Sequence, residues 1–520
     1  MLLGIDIGTS AVKVSLVDGA RGQVVAGGSA PCGFDVPRPG WTETPAPRWW
    51  SATVEAIADL RRATGQSLDA VRAVGLSGQM HGAVLLDQAA LDGAADGQVD
   101  ALRPVIMWND QRTAGELPGI EAAAGGRAAL VRASGNRALA GFTLPKLLWV
   151  RRHEPETWAH VRRFVCPKDF VRLQLTGAAA TDVAEAAGSL LFDVVARRWN
   201  AGLASVLELD PDILPTVHES GAVAGTITPW AAAATGLPAG TPVVAGSGDN
   251  QCGAAGAGVT RAGRVLATLG TSGVIYAHAA VPRVDAPADG ASESASDAAG
   301  RVHLMCAADG RADRAGEWSV TACVLSAAGA LQWARDVVAP DTSFDALMHE
   351  ASLAPPGSGG VRFLPHLAGE RCPYPDPEAR GAWTGLGLGH GRGHLIRAVL
   401  EGVTCTMAAA LQLVEDLDVP VDRVRLGGGG NQAELWRRMQ ADLYGHPVAR
   451  LNVEEGPAFG AALLAGVGIG DTSGIDAAAD AMIEVAEVLD PAPPAAYRTL
   501  VEEYADLYAA LDDPRVRRST

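Results

Sequence analysis

The sequence is poor in cysteine, and its few cysteines are not arranged for metal binding or for disulfides. The 520 residues include seven cysteines, an odd number, and none of them belongs to a Cys-x-x-Cys pair. Zinc sites and small disulfide scaffolds depend on closely spaced pairs, so neither is indicated. We therefore expect a protein of a reducing compartment, the cytoplasm.

Long apolar runs and excess positive charge are also missing. No uncharged apolar stretch reaches 18 residues, so we expect no conventional membrane-spanning helix. The first residues lack a basic segment and reach Asp6 at once, which argues against a signal peptide. Lys and Arg number 42 against 59 Asp and Glu, and the net charge of −17 excludes nucleic acid and anionic membranes as expected partners. A polyphosphate remains compatible, because backbone N–H groups and Mg²⁺ bind it without a basic surface.

The chain is longer than one hydrophobic core usually serves, so two large domains are expected. A hydrophobic content of 48% is enough for two cores. A fresh strand at residues 243–245 follows a turn-rich segment at 237–240. We predict an N-terminal domain at 1–245, a C-terminal domain at 246–470 and a helical tail at 471–520.

Two short segments, half a chain apart, nearly repeat each other. Residues 3–13 read LGIDIGTSAVK, and residues 266–274 read LATLGTSGV. In each, an apolar strand enters a Gly-Thr-Ser turn, whose backbone N–H groups and small hydroxyls suit phosphate oxygens. One such turn is a common hairpin. Two turns at matching places predict a duplicated domain that holds a nucleotide phosphate tail between its halves.

Two aspartates stand at strand ends near these turns. At the end of the first strand, Asp6 can hold a Mg²⁺-bound water against phosphates, or it can simply cap a turn. Asp249 lies in a Gly-Ser-Gly-Asp-Asn turn before a helix, where it can accept the proton of an attacking hydroxyl. The same place suits an ordinary helix N-cap. Lys13, on the return strand, can reach a phosphate or stay solvated.

Two further loops mix hydrogen-bonding side chains with apolar ones. They are residues 77–82 (SGQMHG) and 108–112 (WNDQR). A polyol needs partners for its hydroxyls and an apolar wall for its carbon–hydrogen faces, so these loops predict a sugar pocket. His81 taken alone is equally a packing residue. The four glycines at 427–430 allow close backbone approach to an adenosine, or form a plain turn.

The remaining pattern predicts several elements. Residues 49–65 read as an amphipathic helix and residues 319–338 as a strong helix. Residues 281–317, rich in Ala, Asp, Ser and Gly, read as a flexible insertion. An Ala-rich helix, buried on all sides, is expected to start at 454–458.

At this point the chain resembles the FGGY family of carbohydrate kinases. Residues 141–153 (GFTLPKLLWVRRH) and 381–401 fit two long signatures of that family, and the resemblance runs from Leu3 to about Gly466. It implies an α/β fold of two actin-like (ribonuclease H-like) ATPase domains with a cleft between them. It also implies ATP and Mg²⁺ as cofactors. The two sugar loops resemble those of family members that phosphorylate a ketopentose, D-xylulose.

The resemblance carries residue roles with it. Asp249 matches the catalytic base, and Asp6 matches the carboxylate that holds Mg²⁺ through water. The residues matched to substrate binding are Gln79, Met80, His81, Trp108, Asn109, Asp110, Asp249 and Asn250. The residues matched to ATP and phosphate binding are Thr9, Ser10, Lys13, Gly270, Thr271, Ser272, Gln332, Gly428, Gly429 and Asn431.

Other interpretations stay open at the level of sequence. The nearest is a kinase of another ketose or polyol, such as ribulose or a glycerol-like substrate, with the same machinery. A rival of another class is a non-catalytic, sugar-responsive actin-like protein. The expected partner is a small ketose, and a homodimer is the one assembly considered. In one respect the chain departs from the family, since residues 305–308 (MCAA) and the polar segment around them are atypical.

Overall fold

Two mixed β-sheets, one in each half of the chain, organise the protein. The computed structural model describes residues 1–65, 67–287, 292, 298–452 and 456–512. The strand order of the first sheet is β13-β14-β5-β1-β2-β3, with β15 also paired to β5. Its strands are β1 (Leu2–Ile7), β2 (Ala11–Asp18), β3 (Gln23–Pro31), β5 (Ala73–Gly78), β13 (Val223–Thr226), β14 (Pro242–Val244) and β15 (Ser247–Gly248).

The second sheet has the order β18-β19-β17-β16-β22-β23-β24. Its strands are β16 (Gly263–Leu269), β17 (Gly273–Ala279), β18 (His303–Cys306), β19 (Trp318–Val324), β22 (Val421–Gly427), β23 (Val448–Leu451) and β24 (Val485–Leu489). The described residues also form five two-stranded ribbons. They pair β4 (Glu43–Thr44) with β7 (Val105–Ile106), β6 (Val84–Leu86) with β8 (Arg163–Val165), β9 (Ala180–Asp182) with β12 (Thr216–His218), β10 (Phe192–Asp193) with β11 (Arg198–Trp199), and β20 (Arg362–Leu364) with β21 (Ala382–Thr384).

The two sheets share one core topology. In the first, β1 is antiparallel to β2 and parallel to β5. In the second, β16 is antiparallel to β17 and parallel to β22 in the same way. The third strand of each meander, β3 or β19, pairs antiparallel with the second. The predicted duplication is therefore confirmed, with the two Gly-Thr-Ser turns at equivalent β1–β2 and β16–β17 connections.

Helices cover both sheets. In chain order they are α1 (Ala46–Thr64), α2 (Gln88–Gly93), α3 (Leu117–Ala123), α4 (Arg127–Ser134), α5 (Thr143–His153), α6 (Pro155–His160), α7 (Pro167–Thr176), α8 (Val183–Ala187), α9 (Ala201–Val206), α10 (Pro229–Thr235), α11 (Asp249–Gly256), α12 (Ala328–Val338), α13 (Phe344–Leu353), α14 (Arg392–Glu415), α15 (Glu434–Tyr444), α16 (Pro457–Gly468), α17 (Ile475–Met482) and α18 (Leu500–Asp512). The amphipathic helix predicted at 49–65 is α1, which ends at Gly65 in the left-handed conformation that glycine adopts without strain.

Helix α16 ties the two halves together. Its residues are small or apolar on every side, and those from Ala458 to Val467 are buried, as predicted for this segment. It crosses β1 and β5 of the first sheet so closely that a Cβ on Gly4 or Gly75 would overlap carbonyl oxygens of the helix. Only glycine fits at these crossings. The predicted start at 454 and 455 lies outside the described residues.

The prediction of a strong helix at 319–338 is wrong for its first part and correct for its second. Residues up to Val324 form β19, and the helix begins only at Ala328. Strand β19 lies between β17 and β18, and most of its side chains are buried. A strand buried on both faces loses the polar–apolar alternation that distinguishes it from a helix.

Two predictions about segment character also need correction. The predicted insertion at 281–317 contains β18, whose four residues are all buried at the edge of the second sheet. The predicted helical tail at 471–520 holds α17 and α18, but between them β24 pairs with β23. Residues 288–291, 293–297 and 513–520 of these segments lie outside the described part of the chain.

Helix α14 is, among the described residues, the one helix long and apolar enough to cross a membrane by length and composition. It lies mostly buried within the protein. Inside that packing, Arg397 and Glu401 form an ion pair at 2.8 Å, and the hydroxyl of Tyr497 donates to Glu401.

Candidate active site

The register of three parallel strands brings the two predicted aspartates to one sheet edge. Asp6 of β1 pairs with Ser77 of β5, and Ser77 pairs with Ser247 of β15. Two residues after Ser247, Asp249 begins helix α11. The ends of β1, β5 and β15 therefore place both carboxylates at the same edge, where open α/β sheets bind their ligands.

Asp249 is the first residue of α11, and the N-cap is Gly248. Its Oδ1 accepts hydrogen bonds from the backbone N of Asn250 at 2.8 Å and from the Asn250 side chain at 3.1 Å. Burial, followed by the negative charge of Asp6, raises the pKa of Asp249 to about 7. A carboxyl group with that pKa can both take up and release a proton near neutral pH.

Asp6 is almost fully buried and accepts a hydrogen bond of 2.9 Å from the hydroxyl of Ser77. Burial raises its pKa to about 6, against the lowering effects of Ser77 and of the Lys13 charge. The negative charge of Asp6 is in turn one of the causes that raise the pKa of Asp249, so the two carboxyl groups lie close enough to interact. Hard carboxylate oxygens are the ligands Mg²⁺ prefers, so Asp6 fits the predicted metal.

The first Gly-Thr-Ser turn is bonded to both predicted sugar loops. The Thr9 hydroxyl accepts from Trp108 Nε1 at 3.1 Å and donates to Gln79 Oε1 at 3.4 Å. The Gln79 amide in turn donates to the carbonyl of Gly8 at 3.3 Å. Hydrogen bonds thus join the phosphate-type turn to the two predicted sugar loops.

His81 is held with its ring in a defined tautomer. Its Nδ1 lies 2.8 Å from the carbonyl oxygen of Gly188, and a carbonyl only accepts, so Nδ1 carries the proton. Burial lowers the pKa of His81 to about 3, helped by the positive charge of Lys146, so the ring is neutral at physiological pH. Nε2 keeps a lone pair that can accept from a hydroxyl.

The backbone of His81 lies in the left-handed region, with φ of 71°. Its carbonyl oxygen accepts from Lys146 Nζ at 2.7 Å and from the Thr143 hydroxyl at 3.2 Å, and its ring packs on Phe142 with centroids 4.6 Å apart. Sequence reasoning gave no role to Phe142, Thr143 or Lys146. The signal available was the signature at 141–153, which contains all three.

Met80 forms the apolar part of the same loop. A side chain on Gly248, next to Asp249, would overlap the Met80 thioether, and Gly188 is closed to a side chain by the His81 ring. Met80 therefore packs between the Asp249 turn and His81. Its position beside Asp249 is compatible with the apolar wall that the loop pattern predicts, and that role stays a prediction.

Asp110 lies behind the second loop. It is fully buried, accepts from the backbone N of Thr42 at 2.6 Å and forms an ion pair of 2.7 Å with Arg112. The side-chain oxygen of Asn109 accepts from the Thr42 hydroxyl at 2.8 Å. Because both Asp110 oxygens are engaged, the geometry favours a role in holding the loop over direct contact with a ligand. Trp108 is 43% exposed at the loop surface.

The second Gly-Thr-Ser turn stands at the start of helix α12. The carbonyl of Thr271 accepts from Ala327 N at 3.0 Å, and that of Gly270 accepts from Ala328 N at 2.8 Å. Ser272 is exposed. Gln332, on the same helix, donates to Asp336 at 3.0 Å and does not line the large cavity beside Asp249.

A cavity of about 510 Å³ extends from Asp249 into the second domain. Asn250, Gly428, Gly429 and Asn431 line it together with Tyr276 of β17 and residues of β16 and β22. Gly428 has φ of 82°, and a Cβ there would approach the carbonyl of Leu269. Asn431 holds the turn by donating to the Gly427 carbonyl and accepting from Gln440 at 2.8 Å. The cavity thus joins the predicted base to the predicted adenosine residues. Thr9, Ser10, Lys13 and Asp6 are not part of its lining.

A duplicated α/β domain with a phosphate-type turn in each half and two carboxyl groups at one sheet edge is typical of a phosphotransferase of the two-domain, actin-like type. The chain belongs to the FGGY family of carbohydrate kinases. The N-terminal domain of that family matches residues 1–256, and the C-terminal domain matches residues 265–469.

Curated relatives match over almost their whole length. The chain is 36% identical to the xylulose kinase of Bacillus subtilis over 514 residues, covering 98% of this chain and 97% of the relative. It is 37% identical to the xylulose kinase of Escherichia coli over 513 residues, covering 98% and 99%. The solved structure of xylulose kinase from Rhodospirillum rubrum superposes with a TM-score of 0.86 at 30% identity, covering 98% of each chain. These matches confirm the predicted actin-like fold and the carbohydrate-kinase activity.

Proposed function

We propose that this chain transfers the γ-phosphoryl group of ATP to D-xylulose, giving D-xylulose 5-phosphate and ADP in the cytoplasm. The observation that carries the proposal is the full-length similarity to proteins named xylulose kinase. The sugar loops around Gln79 and Trp108 are consistent with it, because they offer both hydrogen-bonding groups and an apolar wall.

Asp249 is the proposed general base. It lines the cavity together with the glycine turn at 428, and the Met80 side chain packs against the neighbouring Gly248. Its raised pKa suits removal of the proton from the terminal hydroxyl as that oxygen attacks phosphorus. The Nε2 of His81 accepts a hydrogen bond from a hydroxyl of the sugar and so helps to fix which carbon of the sugar faces Asp249.

The remaining predicted residues take supporting roles. Asp6 is the carboxylate that would hold Mg²⁺ through water, and the ion when bound would offset the negative charge of the phosphates. Thr9 and Ser10 in one domain, and Gly270, Thr271 and Ser272 in the other, contact the phosphate tail through backbone N–H groups and hydroxyls. The turn at 428–431 receives the adenosine.

A coupled assay of ADP release over a panel of D-xylulose, D-ribulose, glycerol and D-xylose tests the proposal. We expect the largest kcat/KM for D-xylulose, with product phosphorylated on the terminal hydroxyl. A larger kcat/KM for another sugar would leave the proposed kinase activity standing and overturn D-xylulose as its substrate. Absence of sugar-dependent ADP release from the folded protein would favour the non-catalytic alternative.

A further inference from the structure

Arg371 is a half-buried cation in the loop between β20 and β21. It forms no ion pair with any described residue. An arginine stays charged at physiological pH, and a partly desolvated charge without a counter-charge is costly. A phosphate group is an anion that would compensate it, and the roles proposed above give Arg371 no task.

The backbone of Arg371 is fixed by the carboxylate that precedes it. Glu370 is 3% exposed, and its Oε1 accepts from the backbone N of Arg371 and from that of Leu325, both at 2.8 Å. Its Oε2 lies 3.0 Å from Nδ1 of His366. Glu370 is thus engaged with these groups, and it does not pair with the Arg371 guanidinium.

The same carboxylate ties Arg371 to the second Gly-Thr-Ser turn. Leu325, which donates to Glu370, is the first residue after β19. Two residues further on, the backbone N of Ala327 donates to the carbonyl of Thr271 at 3.0 Å. One short segment, residues 325–327, is therefore bonded to the Arg371 loop at one end and to the predicted phosphate turn at the other.

The charge of Arg371 acts on side chains of both halves. Burial lowers the pKa of His81 and of His303 to about 3, and the positive charge of Arg371 contributes to each shift. Burial also raises the pKa of the Cys323 thiol, which Arg371 counteracts and the negative charge of Asp249 reinforces. The guanidinium thus lies within electrostatic reach of the predicted sugar loop, and beside a residue that also responds to Asp249.

Strand register agrees with this placement. Cys323 of β19 is paired with Val274 of β17. Val274 and Asp249 both line the large cavity. Because cross-strand partners point to the same face of a sheet, Cys323 lies on the cavity face of the second sheet. Arg371, next to Cys323, therefore stands on the side where the sugar and the phosphates are expected to meet.

Building on the kinase activity proposed above, we propose that Arg371 contacts the phosphoryl group during its transfer and then holds it on the sugar product. The planar guanidinium can donate two parallel hydrogen bonds to phosphate oxygens. A positive charge held in place there stabilises the negative charge that develops in the transition state.

Arg371 stays charged throughout the step. The terminal hydroxyl oxygen of the sugar forms a bond to the γ-phosphorus, and the bond between that phosphorus and the bridging oxygen of ADP breaks. The hydroxyl proton goes to Asp249, and the electron pair of the broken bond leaves with ADP. Arg371 neither gains nor loses a proton, so it acts by electrostatic contact alone.

Comparing the sugar with its phosphorylated product separates a phosphoryl contact from a sugar contact. Dissociation constants for D-xylulose and for D-xylulose 5-phosphate are measured by calorimetry on the full-length protein, and kcat by ADP release. The test variants are Arg371→Ala and Arg371→Gln, with melting curves to confirm folding. The control is Arg380→Ala, which alters an exposed arginine further along the same loop.

We expect Arg371→Ala to weaken binding of D-xylulose 5-phosphate at least tenfold and to leave binding of D-xylulose within twofold. Its kcat should fall about 10²–10³-fold, as after loss of one transition-state donor. Added guanidinium ion should restore part of that kcat in Arg371→Ala, which a merely structural role would not allow. The control should match the wild type.

Two results would overturn the role of Arg371. One is wild-type kcat and product affinity in either folded variant, and Arg371→Gln is readable even if Arg371→Ala does not fold. The other is an equal loss of affinity for sugar and product, which would place Arg371 on the sugar instead. A wild type without sugar-dependent ADP release overturns the proposed function and this role together, whereas an active wild type with an unaltered variant overturns this role alone.

Discussion

Lowering the pH from 8 to 6 should reduce kcat/KM for the sugar about tenfold, because Asp249 must be ionised to accept a proton. With a pKa of about 7, the fraction of Asp249 in the carboxylate form falls from roughly ten-elevenths at pH 8 to one-eleventh at pH 6. An aspartate with the ordinary pKa near 3.9 would stay ionised over this range and give a flat profile.

The structure also gives the cause of the shift, which makes the prediction sharper. Burial is the larger contribution, and the negative charge of Asp6 is the second. Asp6→Asn removes that charge, so the midpoint of the acid limb should move to lower pH even though the rate itself falls. Asp249→Asn should lower kcat by about 10²–10⁴-fold and leave sugar binding in place.

The assay is ADP release at limiting sugar and saturating ATP and Mg²⁺, between pH 5.5 and 8.5, with circular dichroism to confirm folding at each pH. Asp345→Asn, an exposed aspartate on α13, serves as the charge-matched control and should reproduce the wild-type profile. A wild-type profile that stays flat from pH 6 to pH 8, or wild-type turnover in Asp249→Asn, would remove Asp249 from the mechanism.

Three further outcomes are expected. His81→Ala should raise KM for the sugar about 5- to 150-fold, which corresponds to about 1–3 kcal/mol. ATP binding measured by calorimetry should not change, and an unaltered KM for every sugar would exclude the loop from the site. Gly75→Ala should lower the free energy of unfolding by about 3 kcal/mol or more in urea melts, because its Cβ overlaps the carbonyl of Ala461, whereas Gly97→Ala, with open space around it, should be nearly neutral. Because the two phosphate turns belong to different halves, we expect the two domains to close when sugar and a non-hydrolysable ATP analogue bind. The radius of gyration in solution scattering should fall and amide exchange at residues 8–10 and 270–272 should slow; no change in either would contradict domain closure.

Local sequence was enough to predict the repeating framework. The apolar strands β1 and β16, each entering a Gly-Thr-Ser turn, could be recognised because strand patterning and turn chemistry are properties of neighbouring residues. The same holds for the amphipathic helix α1 and the buried Ala-rich helix α16. The family signature at 141–153 was also visible, although nothing in it reveals that Lys146 donates to the carbonyl of His81.

Tertiary structure alone decided which side chains meet. Asp6 and Asp249 lie far apart in sequence, and only the pairing of β1 and β15 with β5 brings them to one edge, where burial raises both pKa values and the charge of Asp6 further raises that of Asp249. Contacts between distant segments also made residues 319–324 a buried strand of the second sheet and brought Thr42 to Asp110. Periodicity reports one face of one segment, whereas burial on both faces, strand register and electrostatic coupling depend on partners that are distant in the chain.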